Sequence, residues 1–451
     1  MKREETTVEQ DKQTVMKFAS IMGKKVEANF DGGVTSSDGG VMLLRKVESR
    51  IGIVDRIVGA LCDGRHQSYI AHSYRDLIRQ RVFQIACGYE DANDSNTLRC
   101  DPALKAACER LPITGQDLAS QPTLSRLENS VSRRDLYRVG EALVEAFIAS
   151  YEKPPKKIVL DIDDTDDPTH GGQQLSLFHG YFDTYCYMPV HLYEGHSGKL
   201  ITALLRPGRR MDGRTMAAIL KRVLDRVQEA WPKVRILLRG DGHFSAPEVH
   251  ELCEEYRIDF LLGQMVNKKL KALGQPLMDE VAAQTQTGEA PVRLFTAFDY
   301  QAKSWKRPLR IIYKAEMTHD KANPRFVVTN IRNRTPRFLY EKVYCARGRT
   351  EGFIKNHKTY LHSDRTSCHR FSANQFRVFL HSAAYVLLHT LKASGMKGTT
   401  WVKANFDTIQ LRILKIGARV REQTTVIRFH FPTSYPDKDL VRDIIYNLDT
   451  A

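Results

Sequence analysis

The sequence predicts an α/β protein, and three observations lead there. Short β-branched apolar runs such as "IVLDIDDTDD" read as buried strands. Segments with helical periodicity, such as "GRTMAAILKRVLDRVQEAW", alternate with them. The chain has 451 residues and 42% hydrophobic residues, which is enough for a sizeable core in two or three domains and too apolar for a disordered chain.

Taken in order, residues 1 to about 20 are polar and expected to fray. Helical periodicity dominates from Leu43 to about Ile148. Within it "SYRDLIRQRVFQIACGY" has apolar residues at helical spacing and Gly88 as a C-terminal cap. The stretch "LASQPTLSRLENSVSRRDLYRVGEALVEAFIASY" reads as a short helix followed by an amphipathic one. It is either a helix-turn-helix presenting Ser125 and Arg126 to DNA or an ordinary helical hairpin. "EKPPKK" marks a boundary. After it come the strand carrying Asp161 to Asp167, the strands "YMPVHLYE" and "KLITALLRPG", a helix, the strand "VRILLRGDG", the helix "APEVHELCEEYR" and the strand "IDFLLGQM". Three antiparallel strands followed by α–β–α–β are the element order of a ribonuclease-H-like core. "VRLFTAFDYQ", "RPLRIIYKAEM" and "PRFVVTNI" alternate apolar and polar residues, as antiparallel strands do. Helical pattern returns at about 340, and "DTIQLRILKIGARVREQTTVIRFHF" reads as strands. The expected organisation is therefore a mainly helical N-terminal region (1–153), the first part of the core (154–264), a β-rich insertion (265–340), the rest of the core (341–395) and a strand-rich tail (396–451).

Lys and Arg outnumber Asp and Glu by 68 to 53, a formal charge of +15. That sign favours a polyanion, since neutralised phosphates release counterions, although charge alone also permits a membrane-surface or ribosomal role. No apolar run reaches the roughly 18–20 residues that span a bilayer, and the start lacks an apolar signal region. The eight cysteines are scattered without a C-x-x-C pair, which argues against a zinc ribbon or disulfide framework and fits reduced thiols in a cytoplasm. H-E-x-x-H and P-loop patterns are absent, so neither a zinc hydrolase nor nucleotide hydrolysis is indicated.

The chemistry gathers in three places. "LDIDDTDD" ends a strand in clustered carboxylates, with Asp161 and Asp163 on one face. "RGDGHF" delivers Asp241 to a glycine-flanked turn. "YCARGRTEGFIKNHK" carries Tyr344, Arg347, Glu351 and Lys358. On a regular α-helix, at about 100° per residue, these share one narrow face. Two strand-end Asp plus one helical Glu make an all-oxygen site suited to Mg²⁺ or Mn²⁺, and two such ions could activate a hydroxyl and stabilise a leaving oxygen. Arg347 and Lys358 could bind phosphates and Tyr344 could stack on nucleic acid. Arg239 and His243 flank Asp241, where they could contact the scissile phosphate.

The spacing Tyr-x2-Arg-x3-Glu-x6-Lys resembles the signature of DDE transposases of the insertion-sequence-four superfamily. "LDIDDTDDPTHGGQQ", "RGDGHF", "GYEDANDSNTLRCDPALK", "SQPTLSRLEN" and "ILKIGARV" are similar to the thirteen-eighty family of bacterial insertion sequences, over residues 29–432. The resemblance implies a transposase that binds terminal inverted repeats, cleaves the ends and joins them to target DNA. The helical N-terminal region would bind DNA and the protein would act as a homodimer on double-stranded DNA. It would be nucleoid-associated in a bacterial cytoplasm, with no membrane partner. Asp163, Asp241 and Glu351 would form the metal-binding catalytic triad, with Asp163 favoured by the family's Asp-x-Thr pattern and Asp161 the alternative. A nuclease without strand transfer and a DNA-binding regulator are the competing readings.

Overall fold

A computed structural model describes residues 15–286, 292–318 and 321–450. Its centre is a twisted mixed sheet. The five core strands are β1 (Lys157–Asp164), β2 (Val190–Glu194), β3 (Leu200–Leu204), β4 (Arg235–Gly240) and β5 (Asp259–Gly263). β1, β2 and β3 pair antiparallel; β4 pairs parallel with β1, and β5 parallel with β4. Helix α1 (Gly213–Ala230) makes the crossover from β3 to β4, and α2 (Pro247–Glu255) the one from β4 to β5. This 3-2-1-4-5 order matches the element order read from the sequence.

Strand alternation divides the sheet chemically. Ile158, Leu160 and Ile162 of β1 join Leu238 and Phe260 in the core under α1, which contributes Leu220, Val223 and Leu224. On the opposite face Val159, Leu237 and Leu261 meet Leu339 and Tyr340. Asp161 and Asp163 belong to that second face, beneath the helical segment 336–360.

Three expectations are revised. Segment 265–340 begins with a helix, α3 (Lys268–Gln286). Its strands β6 (Arg293–Tyr300), β7 (Leu309–Thr318) and β8 (Arg325–Thr329) pair onto β5, extending the core sheet to the order β6-β7-β8-β5-β4-β1-β2-β3. Pairing with an existing edge satisfies the backbone groups that β5 would otherwise expose. The tail is not mainly strand: helical turns run from Phe406 to Leu414, strands Ala418–Glu422 and Ile427–His430 follow, and helix Lys438–Thr450 closes it. Residues 16–28, which overlap the end of the stretch expected to fray (1 to about 20), form an antiparallel hairpin. Residues 1–14 lie outside the described residues.

Helix Tyr74–Ala86 opens with a Ser73/Asp76 capping box, and Gly88 beyond it takes φ +87°, the left-handed conformation expected of a C-terminal cap. It packs on helix α4 (Phe371–Thr390), in which fifteen of twenty residues are buried. A helix buried on nearly every side serves as a shared pillar. Residues from Val41 through Leu143, α4 and the tail to Leu448 consequently form one apolar core, so the N-terminal helices have no core of their own. None of the eight cysteines forms a disulfide. Among the described residues no helix is long and apolar enough to cross a membrane.

Candidate active site

In the parallel register of β1 and β4, Ile162 lies opposite Gly240. Asp163, still paired with His191 of β2, and Asp241, the first residue beyond β4, come next along each chain and so lie side by side. Asp163 is 9% exposed, and burial pushes its carboxyl up to about 7; Arg347 opposes that shift, while Asp241 and Asp164 add like-charge repulsion. The Arg347 guanidinium donates to Asp163 Oδ2 at 2.7 Å. Asp241 is half-buried and accepts the His243 backbone N–H at 2.9 Å. The exposed His243 ring lies 3.5 Å from Asp164 and 3.8 Å from Asp241, and its hydrogen bond to Asp164 is the main cause raising its pKa.

Two residues earlier on the same face, Asp161 is sealed. Arg239 grips it with Nε and Nη2 at 2.6 Å each, and the Thr350 hydroxyl donates to it at 3.0 Å. Arg239 also donates to the Val343 carbonyl at 2.7 Å. Gly195 backs the pair: a Cβ there would stand 2.3 Å from Asp161 Oδ2. Arg239, expected at the scissile phosphate, is 2% exposed and committed to Asp161, which removes it from the DNA-contacting set. The same pairing withdraws Asp161 as the alternative to Asp163, because an aspartate at 0% exposure with a bidentate arginine has no acceptor facing the cleft.

Segment 336–360 is continuous but is not one regular helix. π turns occupy Leu339–Tyr344 and Asn356–Tyr360, and a 3₁₀ turn occupies Cys345–Gly348. Wider and tighter turns shift side-chain direction, so the single face expected from regular spacing is redistributed. The Tyr344 hydroxyl is packed against Gly263, where a Cβ would come within 2.8 Å. Arg347 reaches Asp163, and Thr350 turns inward to Asp161. Lys358 donates to Asp166 at 2.8 Å and to Thr165 at 3.4 Å. Glu351 is exposed and makes no hydrogen bond or ion pair among the described residues.

Among the described residues no three Asp, Glu, His or Cys side chains stand together as metal ligands. Carboxylates repel one another, and here the Arg347 guanidinium supplies the cation that Asp163 needs. The donor chemistry nevertheless fits a hard divalent ion. Asp163 is a buried carboxyl whose burial Arg347 offsets only in part, Asp241 is beside it, and Glu351 is unpaired on the neighbouring helix.

Helices Gln121–Ser130 and Arg133–Ala149 are joined at Val131–Ser132. Leu124, Leu127 and Glu128 of the first are buried, Ser125 is half-buried and Arg126 is exposed. Arg370 donates to the Asn129 carbonyl at 3.3 Å and the His369 carbonyl accepts from the Gln174 backbone N–H, which links this helix to the loop beyond β1. Sequence reasoning missed Thr350, whose β-branched side chain beside Glu351 gives no periodic signal. It also missed Asp166 as the partner of Lys358, though the acid run supplied the candidates.

A family model described as "Transposase DDE domain group 1" matches residues 18–451. No curated protein matches the chain. Among solved structures the chain is similar to a piggyBac transposase synaptic complex with hairpin DNA, at 13% identity and a TM-score of 0.42, covering 92% of this chain and 85% of that one.

Proposed function

The chain belongs to that family of DDE transposases, and on this premise we propose that it binds terminal inverted repeats, cleaves the element's ends and joins them to target DNA, acting as a homodimer on double-stranded DNA. Asp163, Asp241 and Glu351 would hold Mg²⁺ or Mn²⁺, two ions together. Bound there, the ions would supply activation of the attacking hydroxyl and stabilisation of the leaving oxygen. The single observation that supports this reading most is the pairing of Asp163 with Asp241 at adjacent strand ends, with Arg347 over them and Glu351 unpaired close by in the chain.

The protein's own groups have separable tasks. Arg347 balances Asp163 in this structure; were Asp163 to hold a cation instead, the guanidinium would be free for a phosphate. Lys358 pins the loop after β1 through Asp166 and presents a second cation. Tyr344, held against Gly263, limits how far the β5 end and the 336–360 segment can part. His243, whose pKa is raised chiefly by its hydrogen bond to Asp164, stands at the cleft mouth. Ser125 and Arg126 serve the more distant DNA on the N-terminal helices.

The test is Mg²⁺-dependent cleavage and strand transfer on DNA carrying the element's ends, with wild type and Glu351→Gln. Wild type should yield both cut and joined products. Glu351→Gln, which keeps size but loses the charge, should bind ends and do neither. Cleavage without joining by wild type would reassign the protein to nucleases, and normal cleavage by Glu351→Gln would sink the triad.

A further inference from the structure

The strand that carries Asp163 runs directly into a second, small sheet. Asp167–Pro168 pairs with Thr184–Tyr187, which pairs with Leu177–His179. The base of this hairpin is anchored. Thr366 donates to the Asp167 carboxylate, and the Tyr187 hydroxyl donates to the Gln174 carbonyl at 2.7 Å. Gly208 allows close approach: a Cβ there would lie 2.2 Å from the Cys186 carbonyl oxygen.

Its outer part is the reverse of a soluble turn. Phe178 and Tyr185 face each other across the strands, with ring centroids 5.6 Å apart, at 54% and 60% exposure. Tyr181 at the tip is 86% exposed, against Phe182 at 5.0 Å. Leu175, just before the hairpin, and Asp183, beside its tip, hold left-handed φ of +63° and +52°, uncommon for non-glycine residues. Beside the base stand exposed His170, Arg365, His369 and Arg370, of which Arg365 also pairs with Glu90 at 3.6 Å and Arg370 with the Asn129 carbonyl at 3.3 Å. Exposed aromatics with flanking cations fit bases that have lost their partners, because a ring can stack on any base while cations track the backbone.

We propose that the hairpin Leu177–Tyr187 is a stacking platform for unpaired DNA bases beside the cleavage site. This rests on the transposase reading, because it assigns the hairpin's occupant from its continuity with Asp163. A cut leaves a strand end that can unpair, and a platform one strand away from the cut would hold its bases once unpaired.

The full chain, in chelator to prevent cutting, is titrated with a blunt duplex and with the same duplex bearing an unpaired overhang that contains 2-aminopurine. Wild type should prefer the overhang DNA and change the probe's fluorescence as its base stacks. Tyr181→Ala, Phe178→Ala and Tyr185→Ala should weaken overhang binding by about five- to a hundredfold per stacked base while leaving blunt-duplex affinity unchanged. Tyr185→Phe, which keeps the ring, should behave as wild type. Equal losses on both DNAs, or none, would overturn the proposal. So would a fall in self-association of Phe178→Ala by sedimentation, which would give the face to a second copy. Mg²⁺-dependent cutting by wild type, measured in parallel, separates the two ideas. Cutting with no overhang preference sinks the platform alone, and overhang preference with no cutting or joining sinks the transposase reading alone.

Discussion

Asp161 and Asp163 sit two residues apart on one strand and one face, yet the cleft treats them oppositely. The lower level is closed. Asp161 meets a bidentate arginine, a threonine hydroxyl and a glycine that lets them pack, all far from water. The upper level is open. Asp163 has one arginine contact and two neighbouring acids that repel it, and the segment that supplies the arginine also carries the exposed Glu351. A carboxylate with a fixed buried partner holds structure together, whereas one whose partner can be exchanged is available for chemistry.

The largest expected effect falls on the upper level. Asp163→Asn should lower cleavage by roughly three orders of magnitude or more, as expected when a group needed at the transition state is lost. Its stability should change in the opposite sense. The folded carboxyl, raised to about 7, binds protons that the unfolded chain has released above about pH 4. Metal-free wild type should therefore lose stability through this group as pH rises from about 4 to 7, by at most about 4 kcal/mol. The Asn variant should lack that slope, as denaturant titrations at several pH values would show. Equal slopes would mean that Asp163 is not the strained member.

The lower level should respond in stability. Asp161→Ala leaves Arg239 buried and unpaired, at a cost of about 3–5 kcal/mol, readable in thermal or urea unfolding. The double replacement Asp161→Leu with Arg239→Met should recover much of that loss, since no charge is then stranded. If the double variant is as unstable as the single one, the pair is more than an ion pair and the contrast between levels blurs.

The smallest effect should come from Lys358→Ala. Its bridge to Asp166 is partly exposed, so unfolding should move by less than about 1 kcal/mol. Cleavage should fall about tenfold, through weaker hold on a phosphate. An unfolding shift as large as that of Asp161→Ala would place Lys358 with the structural level.

Much of this was legible in the chain itself. Apolar alternation placed Asp161 and Asp163 on one face of a buried strand, and glycines around Asp241 marked a turn. The Tyr-Arg-Glu-Lys spacing pointed to one helical segment. Strand and crossover order followed from periodicities of two and 3.6, which are local properties of consecutive residues. The tertiary structure decided what depends on partners distant in sequence. Asp161 and Asp163 have the same residue type and the same strand face, and only the arrival of Arg239, Thr350 and Gly195 separates them. Arg239 and Arg347 are equally basic in sequence, yet one is consumed beneath the sheet surface and the other stands over the cleft. The N-terminal helices carry their own apolar stripes, but which surface covers those stripes was settled by α4, more than two hundred residues later. Periodicity fixes which side of an element is apolar, while the partner that buries it is chosen by packing across the whole chain.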